Sequence, residues 1–160
     1  WALPGTPELM HRVGGLEKQD GTGNVSYDPD NHQHMVQTRA RKVAIVADFI
    51  DEAEIEGSQE GTLVLSWGGT YGAISSAASN LRDEGFSVSN IHLRHLNPLP
   101  DDLGDIIGRF KKVIVPELNL GQLNLLLRAK YLVDVISYGK LQGKPFKVSE
   151  LHEKFLEHLR

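Results

Sequence analysis

The chain has 160 residues, 40% of them hydrophobic and 24% charged, which suits one globular domain of ordinary size and excludes a disordered or fibrous protein. Seventeen basic against twenty-one acidic residues give a formal charge of −4, which argues against a nucleic-acid surface, and no apolar run approaches the roughly 20 residues of a membrane span. Cysteine is absent, which excludes disulfides, thiolate zinc sites, cysteine-ligated iron–sulfur clusters and a cysteine nucleophile and fits a cytoplasmic protein.

The sequence opens on Trp1-Ala-Leu-Pro-Gly5. This has no basic stretch followed by an apolar one, so it is not a signal peptide. It reads as the interior of a longer chain, of which these residues are an excised domain. Residues 1–27 are rich in Gly, Pro, Thr and Asn without apolar periodicity. They are expected to be an extended segment packed on a neighbouring domain, with an α/β domain following over 28–160.

Asp28, Pro29 and Asp30 form a helix start: a cap, a first-turn proline and a first-turn acid. Val36, Ala40, Val43, Ala47 and Ile50 then recur at the spacing of one buried helical stripe, fading in the acidic stretch Asp51–Glu56. Thr62–Ser66 is a short apolar run between Gly61 and Gly68-Gly69, the pattern of a strand buried on both faces. Thr70 is placed to cap a helix over 71–84 and Gly85 to end it. Further strands are expected at Val88–Leu93, Lys112–Pro116 and Val133–Ser137. Further helices are expected at Asp101–Phe110, Gln122–Tyr131 and Glu150–Leu159. Strands alternating with helices imply a mostly parallel sheet covered on both faces, with right-handed crossovers.

Ligands of open α/β sheets bind beyond the carboxyl ends of the strands, so three segments are candidates. The first is Trp67-Gly-Gly-Thr-Tyr-Gly72. Gly68, Gly69, Thr70 and Tyr71 there either cradle an anion at a helix start or simply make a tight turn. A dinucleotide fingerprint is excluded, because position 67 is Trp and no acid stands about twenty residues on, and no Walker lysine follows. The second is His92-Leu-Arg-His-Leu-Asn-Pro98, where Arg94 and His95 are candidates. Arg94 pairs with a phosphate or carboxylate ligand, or with a neighbouring acid. The third is Val115-Pro-Glu-Leu-Asn-Leu-Gly-Gln122. Glu117 acts there as acid or base, or accepts hydrogen bonds from loop amides, and Asn119 caps or turns the chain. His32 and His34, two apart near a helix start, point to different faces, and His92 and His95 lack a third metal ligand, so both pairs read as solvated or structural. Without a Gly-x-Ser-x-Gly elbow a hydrolase is unsupported, and Leu123–Leu127 reads as core.

Seven ordered strings show a resemblance. They are Trp1-Ala-Leu-Pro-Gly-Thr-Pro7, the run from Gly15 to Pro29, Asn31-His-Gln-His-Met35, Trp67–Gly72, His92–Pro98, Pro116-Glu-Leu-Asn-Leu-Gly-Gln-Leu123 and Arg128-Ala-Lys-Tyr131. From residue 1 to about 146 the chain resembles the C-terminal part of the alpha subunit of 2-oxoglutarate (2-oxoacid):ferredoxin oxidoreductases. The resemblance implies oxidative decarboxylation of a 2-oxoacid, with coenzyme A as acyl acceptor and ferredoxin as electron acceptor. It implies thiamine diphosphate, magnesium and an iron–sulfur cluster in the whole enzyme, none of them held by this chain. It implies a three-layer α/β/α sandwich similar to the transketolase C-terminal domain, with a mostly parallel five-stranded sheet and one antiparallel edge strand. Four strands are counted above, so the fifth is expected in residues 140–149 or in the N-terminal stretch. The implied partners are the preceding domain of the same subunit, a thiamine-binding beta subunit and ferredoxin, with no nucleic acid or membrane. The domain is expected to be non-catalytic, completing a subunit interface and walling a substrate or coenzyme A channel. Gly68, Gly69, Thr70, Tyr71, Arg94, His95, Glu117 and Asn119 are the candidates for that wall. The alternative is a stand-alone module binding a phosphate or nucleotide.

Overall fold

A computed structural model describes residues 2–10 and 14–159. Trp1, in the first matching string, lies outside the described residues. The chain divides into two compact units, Trp1–Ile45 and Val46–Arg160.

In the first unit, helix α1 (Pro29–Ala44) begins as expected, with the Asp28 carboxylate accepting the Asp30 amide at 3.0 Å. The preceding stretch is organised by polar contacts. Lys18 and Val25 form an antiparallel bridge. Asn31 donates to the Lys18 carbonyl at 2.9 Å and accepts from the Asp20 amide at 2.9 Å. Both oxygens of Glu17 accept from the Arg39 guanidinium, at 3.0 and 3.2 Å, and His32 Nδ1 lies 2.8 Å from Glu17. Those bonds, from Arg39 first and then His32, hold the Glu17 carboxyl down at about 2. His34 Nε2 lies 3.0 Å from Asp20. The expected buried stripe is not buried: α1 buries no residue, and Val36 and Val43 are 45% and 43% exposed. Helical periodicity reports which residues share a face, not what covers it. The α-helix also stops at Ala44, and a 3₁₀ turn runs on to Phe49.

The second unit contains strands β1 (Thr62–Trp67), β2 (Val88–Leu93), β3 (Lys112–Glu117) and β4 (Ile136–Gly139). Its helices are α2 (Tyr71–Asp83), α3 (Leu103–Ile107), α4 (Gln122–Tyr131) and α5 (Val148–Leu159). The strands lie in the order β2-β1-β3-β4, all parallel. Alternation along each strand sorts the core into two faces. Leu63, Leu65, Ile91, Leu93, Val113 and Val115 pack with Leu103 and Ile107 of α3 and Leu123 and Leu127 of α4. Val64, Val88 and Ile114 pack on the other side with Ile74 and Leu81 of α2 and Leu151 and Phe155 of α5. This is the expected three-layer α/β/α sandwich.

The sheet has four strands, not five. The antiparallel edge is reduced to one bridge, in which Glu56 and Asn90 exchange main-chain hydrogen bonds of 2.9 and 3.0 Å. The remnant thus lies beside β2, not in residues 140–149 or in the N-terminal stretch. Its shortness has a local cause. Gly57 follows at φ 121°, outside the extended range of a strand, so regular pairing ends after a single pair although the chain stays against Val88 and Ser89. The last strand starts at Ile136 rather than Val133, because Leu132 closes α4 at φ 55° and Val133–Val135 make the connection.

Candidate functional site

The three predicted segments do stand at the carboxyl ends of strands, but they make two different structures. After β1, Gly68–Thr70 form a 3₁₀ turn leading into α2. Thr70 stands at the N-cap position of α2, but its side chain makes no capping hydrogen bond to the helix. Its hydroxyl donates to the Trp67 carbonyl at 2.8 Å, closing the turn on itself. Gly68 and Gly69 border open space.

After β3, Glu117 is fully buried. One of its oxygens accepts the Leu123 amide at 2.9 Å, Asn119 Nδ2 at 3.1 Å and Trp67 Nε1 at 3.3 Å. The other accepts the Asn124 amide at 3.1 Å. Asn119 Oδ1 takes the Gly121 and Gln122 amides at 2.7 and 3.0 Å. Together they satisfy amides at the start of α4 that the helix itself leaves unpaired. Of the two readings of Glu117, the geometry is that of an acceptor for main-chain amides. Leu123 and Leu127 are core, whereas Leu125 is 67% exposed.

The remaining segment lines a cleft of about 540 Å³. His92, Arg94 and His95 at the end of β2 line it together with Tyr71 of α2. The acidic segment before β1 contributes Asp51, Glu52, Glu54 and Glu56. Tyr71, Arg94 and His95 are therefore brought together, while Gly68, Gly69 and Thr70 lie beside the cleft and Glu117 and Asn119 belong to the α4 cap.

Glu56 organises the cleft, and the sequence reading did not single it out. Its carboxylate accepts from Ser75 Oγ at 2.8 Å, Tyr71 Oη at 3.0 Å and Asn90 Nδ2 at 3.0 Å. Arg82 donates to the Glu56 carbonyl at 3.2 Å and to Asn90 Oδ1 at 3.0 Å. Burial works against its charge, but the bonds from Asn90, Ser75 and Tyr71 outweigh it and hold the carboxyl below the usual glutamate value. The only local signal was an acid near the edge of the first strand.

His92 Nδ1 lies 2.8 Å from Ser66 Oγ, which is also within 3.2 Å of the Ile91 carbonyl. Burial, and then the positive charge of Arg94, push the imidazole below its ordinary value. The Tyr71 and His92 rings meet edge-on with centroids 5.0 Å apart. Ser66 is fully buried, so it is not placed to attack a substrate. Among the described residues Arg94 and His95 have no ion-pair partner, and neither have Asp51, Glu52 and Glu54. The cleft is thus chemically suited to hold a ligand, with charges of both signs left unpaired.

No protein-family model matches the chain. It is 45% identical over 152 residues to 2-oxoglutarate oxidoreductase subunit KorA of Mycobacterium tuberculosis, a match covering 94% of this chain and 23% of that protein. The chain is a homologue of the KorA subunits. It is 30% identical over 149 residues to 2-oxoglutarate synthase subunit KorA of Methanocaldococcus jannaschii, covering 92% of this chain and 40% of that one. Its fold matches the 2-oxoglutarate:ferredoxin oxidoreductase of Magnetococcus marinus with a TM-score of 0.87 at 34% identity, over 99% of this chain and 28% of that chain. That enzyme was solved with 2-oxoglutarate, coenzyme A and succinyl-CoA bound. The chain therefore spans about a quarter to two fifths of these relatives. The resemblance seen in the seven strings and the sandwich it implied are both borne out.

Proposed function

We propose that the chain is a non-catalytic domain of a thiamine-diphosphate-dependent 2-oxoacid:ferredoxin oxidoreductase that converts 2-oxoglutarate to an acyl-CoA. It completes the subunit interface and walls the channel by which coenzyme A or the oxoacid reaches the thiamine. The observation that carries this reading is the near-complete match of the chain to one part of much longer oxidoreductase subunits. The same match disfavours a stand-alone nucleotide module. Tyr71, Arg94 and His95 are the wall residues that the cleft supports.

The cofactors of such an enzyme do not fit this chain. It has no cysteine for a cluster, and the described residues contain no group of three or more His, Asp or Glu able to hold a metal. We assign the thiamine diphosphate, magnesium and iron–sulfur sites to the beta subunit or to other domains of the enzyme, and ferredoxin docking with them. Among the described residues no helix is long and apolar enough to cross a membrane; we place the enzyme in the cytoplasm. Residues 1–27 pack on the preceding domain of the subunit, and the uncovered Val36–Val43 face of α1 belongs to the same interface.

The test is Arg94→Ala in the complete enzyme. The expected result is a KM for coenzyme A or 2-oxoglutarate raised about tenfold with kcat retained, and no turnover by the 160-residue chain alone. Turnover by the chain alone, or unchanged KM values for both substrates, overturns the reading.

A further inference from the structure

The long helices of the sheet unit turn different surfaces to solvent. α2 presents Ser76, Asn80 and Asp83, and α5 presents Ser149, Glu153 and Glu157, as a solvated helix face should. α4 does not. Leu123 and Leu127 fill the core from one side of it, while Leu125, Leu126 and Ala129 form an outward stripe at i, i+1 and i+4. A helix apolar on both sides is a helix that something covers. The stripe continues past both ends of α4, where Leu120 is 83% and Leu132 90% exposed. At the carboxyl ends of β3 and β4, Leu118 and Leu141 line a hollow of about 360 Å³ with Lys144. Among the described residues of this unit only Val46, Phe49 and Tyr71 are exposed large apolar side chains outside this group of leucines. The apolar surface is therefore gathered in one patch, the mark of an interaction site.

Charge is gathered there too. Residues 118–149 carry Arg128, Lys130, Lys140, Lys144 and Lys147 against a single acid, Asp134, in a chain whose formal charge is −4. Arg128 is paired with Asp134 and Lys140 with Glu150. Lys130 and Lys144 have no ion-pair partner among the described residues. An occupant of this face must therefore be apolar at its centre and acidic at its edge. A second copy of the same chain fails that test, because a two-fold contact would set lysines against lysines. The stripe has the width of one helix face, and the small Ala129 lets a facing backbone come close.

We propose that the Leu118–Leu132 face of α4 docks an amphipathic helix of another subunit of the enzyme, with its apolar side on Leu125, Leu126 and Ala129 and flanking Asp or Glu side chains on Lys130 and Lys144. The inference rests on the reading of the chain as a domain of a multi-subunit enzyme. It deepens that reading by naming a second interface, distinct from the one assigned to residues 1–27 and α1.

The experiment is photo-crosslinking in the complete enzyme, with p-benzoylphenylalanine in place of Leu125, and in place of Glu153 on α5 as the control. The expected result is a crosslink from position 125, and none from position 153, to a peptide of another subunit with apolar residues at helical spacing flanked by Asp or Glu. No crosslink from position 125 overturns the proposal. So does a crosslink to the same subunit, to α4 of a second copy or to lipid. A second measurement is the subunit dissociation constant by sedimentation. Lys130→Glu with Lys144→Glu should weaken association about tenfold and flatten its salt dependence, whereas unchanged association overturns the charge match. Neither lysine has an ion-pair partner to lose, so circular dichroism of the double variant should match wild type. The two readings fail separately. A raised KM from Arg94→Ala without the α4 crosslink removes the docking face alone, and the crosslink with unchanged KM values removes the channel wall alone.

Discussion

Glu56 and Asn90 are joined three times. Their main chains exchange two hydrogen bonds, and the Asn90 side-chain amide donates to the Glu56 carboxylate at 3.0 Å. This single pair anchors the acidic segment of the cleft to the edge of β2. Asn90 is fully buried, so losing its partner leaves a polar group without compensation. Glu56→Ala is therefore expected to destabilise the fold by about 2 kcal/mol, read as a lower urea midpoint at unchanged m. It should also release Tyr71, weakening ligand binding in the cleft. Glu56→Gln, which keeps one carbonyl acceptor, should lie between the two.

Glu117 offers a different case, because its carboxylate receives only donors. Glu117→Gln turns an amide nitrogen toward one of them, the Leu123 or Asn124 amide among the candidates, in a fully buried site. A loss of about 2–3 kcal/mol is expected, with hydrogen exchange accelerated first in the opening turn of α4. Retained stability would show that the cap is dispensable.

The His92 imidazole is held below its ordinary value by burial and then by Arg94. The unfolded chain therefore binds a proton that the folded chain does not, over the pH range just below the usual histidine value. Stability contributed there is present above that range and is lost as pH falls through it. Arg94→Gln removes the repulsion and should raise the His92 value toward normal. Proton NMR titration of the imidazole in both proteins measures this, and an unmoved His92 would refute the coupling.

Two glycines separate a packed turn from an open one. A Cβ at Gly61 would lie 2.6 Å from the Ser87 carbonyl oxygen, at φ 94°. Gly61→Ala is expected to cost about 2–4 kcal/mol, from strain and crowding together. Gly69 has ordinary φ, and an added Cβ would meet nothing within 4 Å. Gly69→Ala should be tolerated in stability and in cleft binding. A binding defect without loss of stability would instead restore the Gly68-Gly69 turn as a ligand cradle.

Much of the fold was legible locally. β1 and β3 are short apolar runs, and β2 spans the expected Val88–Leu93. Gly85, at φ 92°, ends the second helix as its position implied, and α4 begins after Gly121 at φ 91°. Such signals act over a few residues, through backbone conformation and side-chain period. Arg94, His95 and Tyr71 were legible as neighbours at one cleft, which they line, because the carboxyl ends of parallel strands open together.

What only the tertiary structure decided depended on distant partners. Glu117 and Trp67 lie 50 positions apart in the chain, and Glu56 and Asn90 lie 34 apart. No periodicity links such pairs; they meet because parallel register aligns the ends of β1 and β3, and because one antiparallel bridge lays Glu56 beside β2. The face of α1 follows the same rule: its sequence determined that Val36 and Val43 align, but whether that face is buried is settled by packing, which local sequence does not encode.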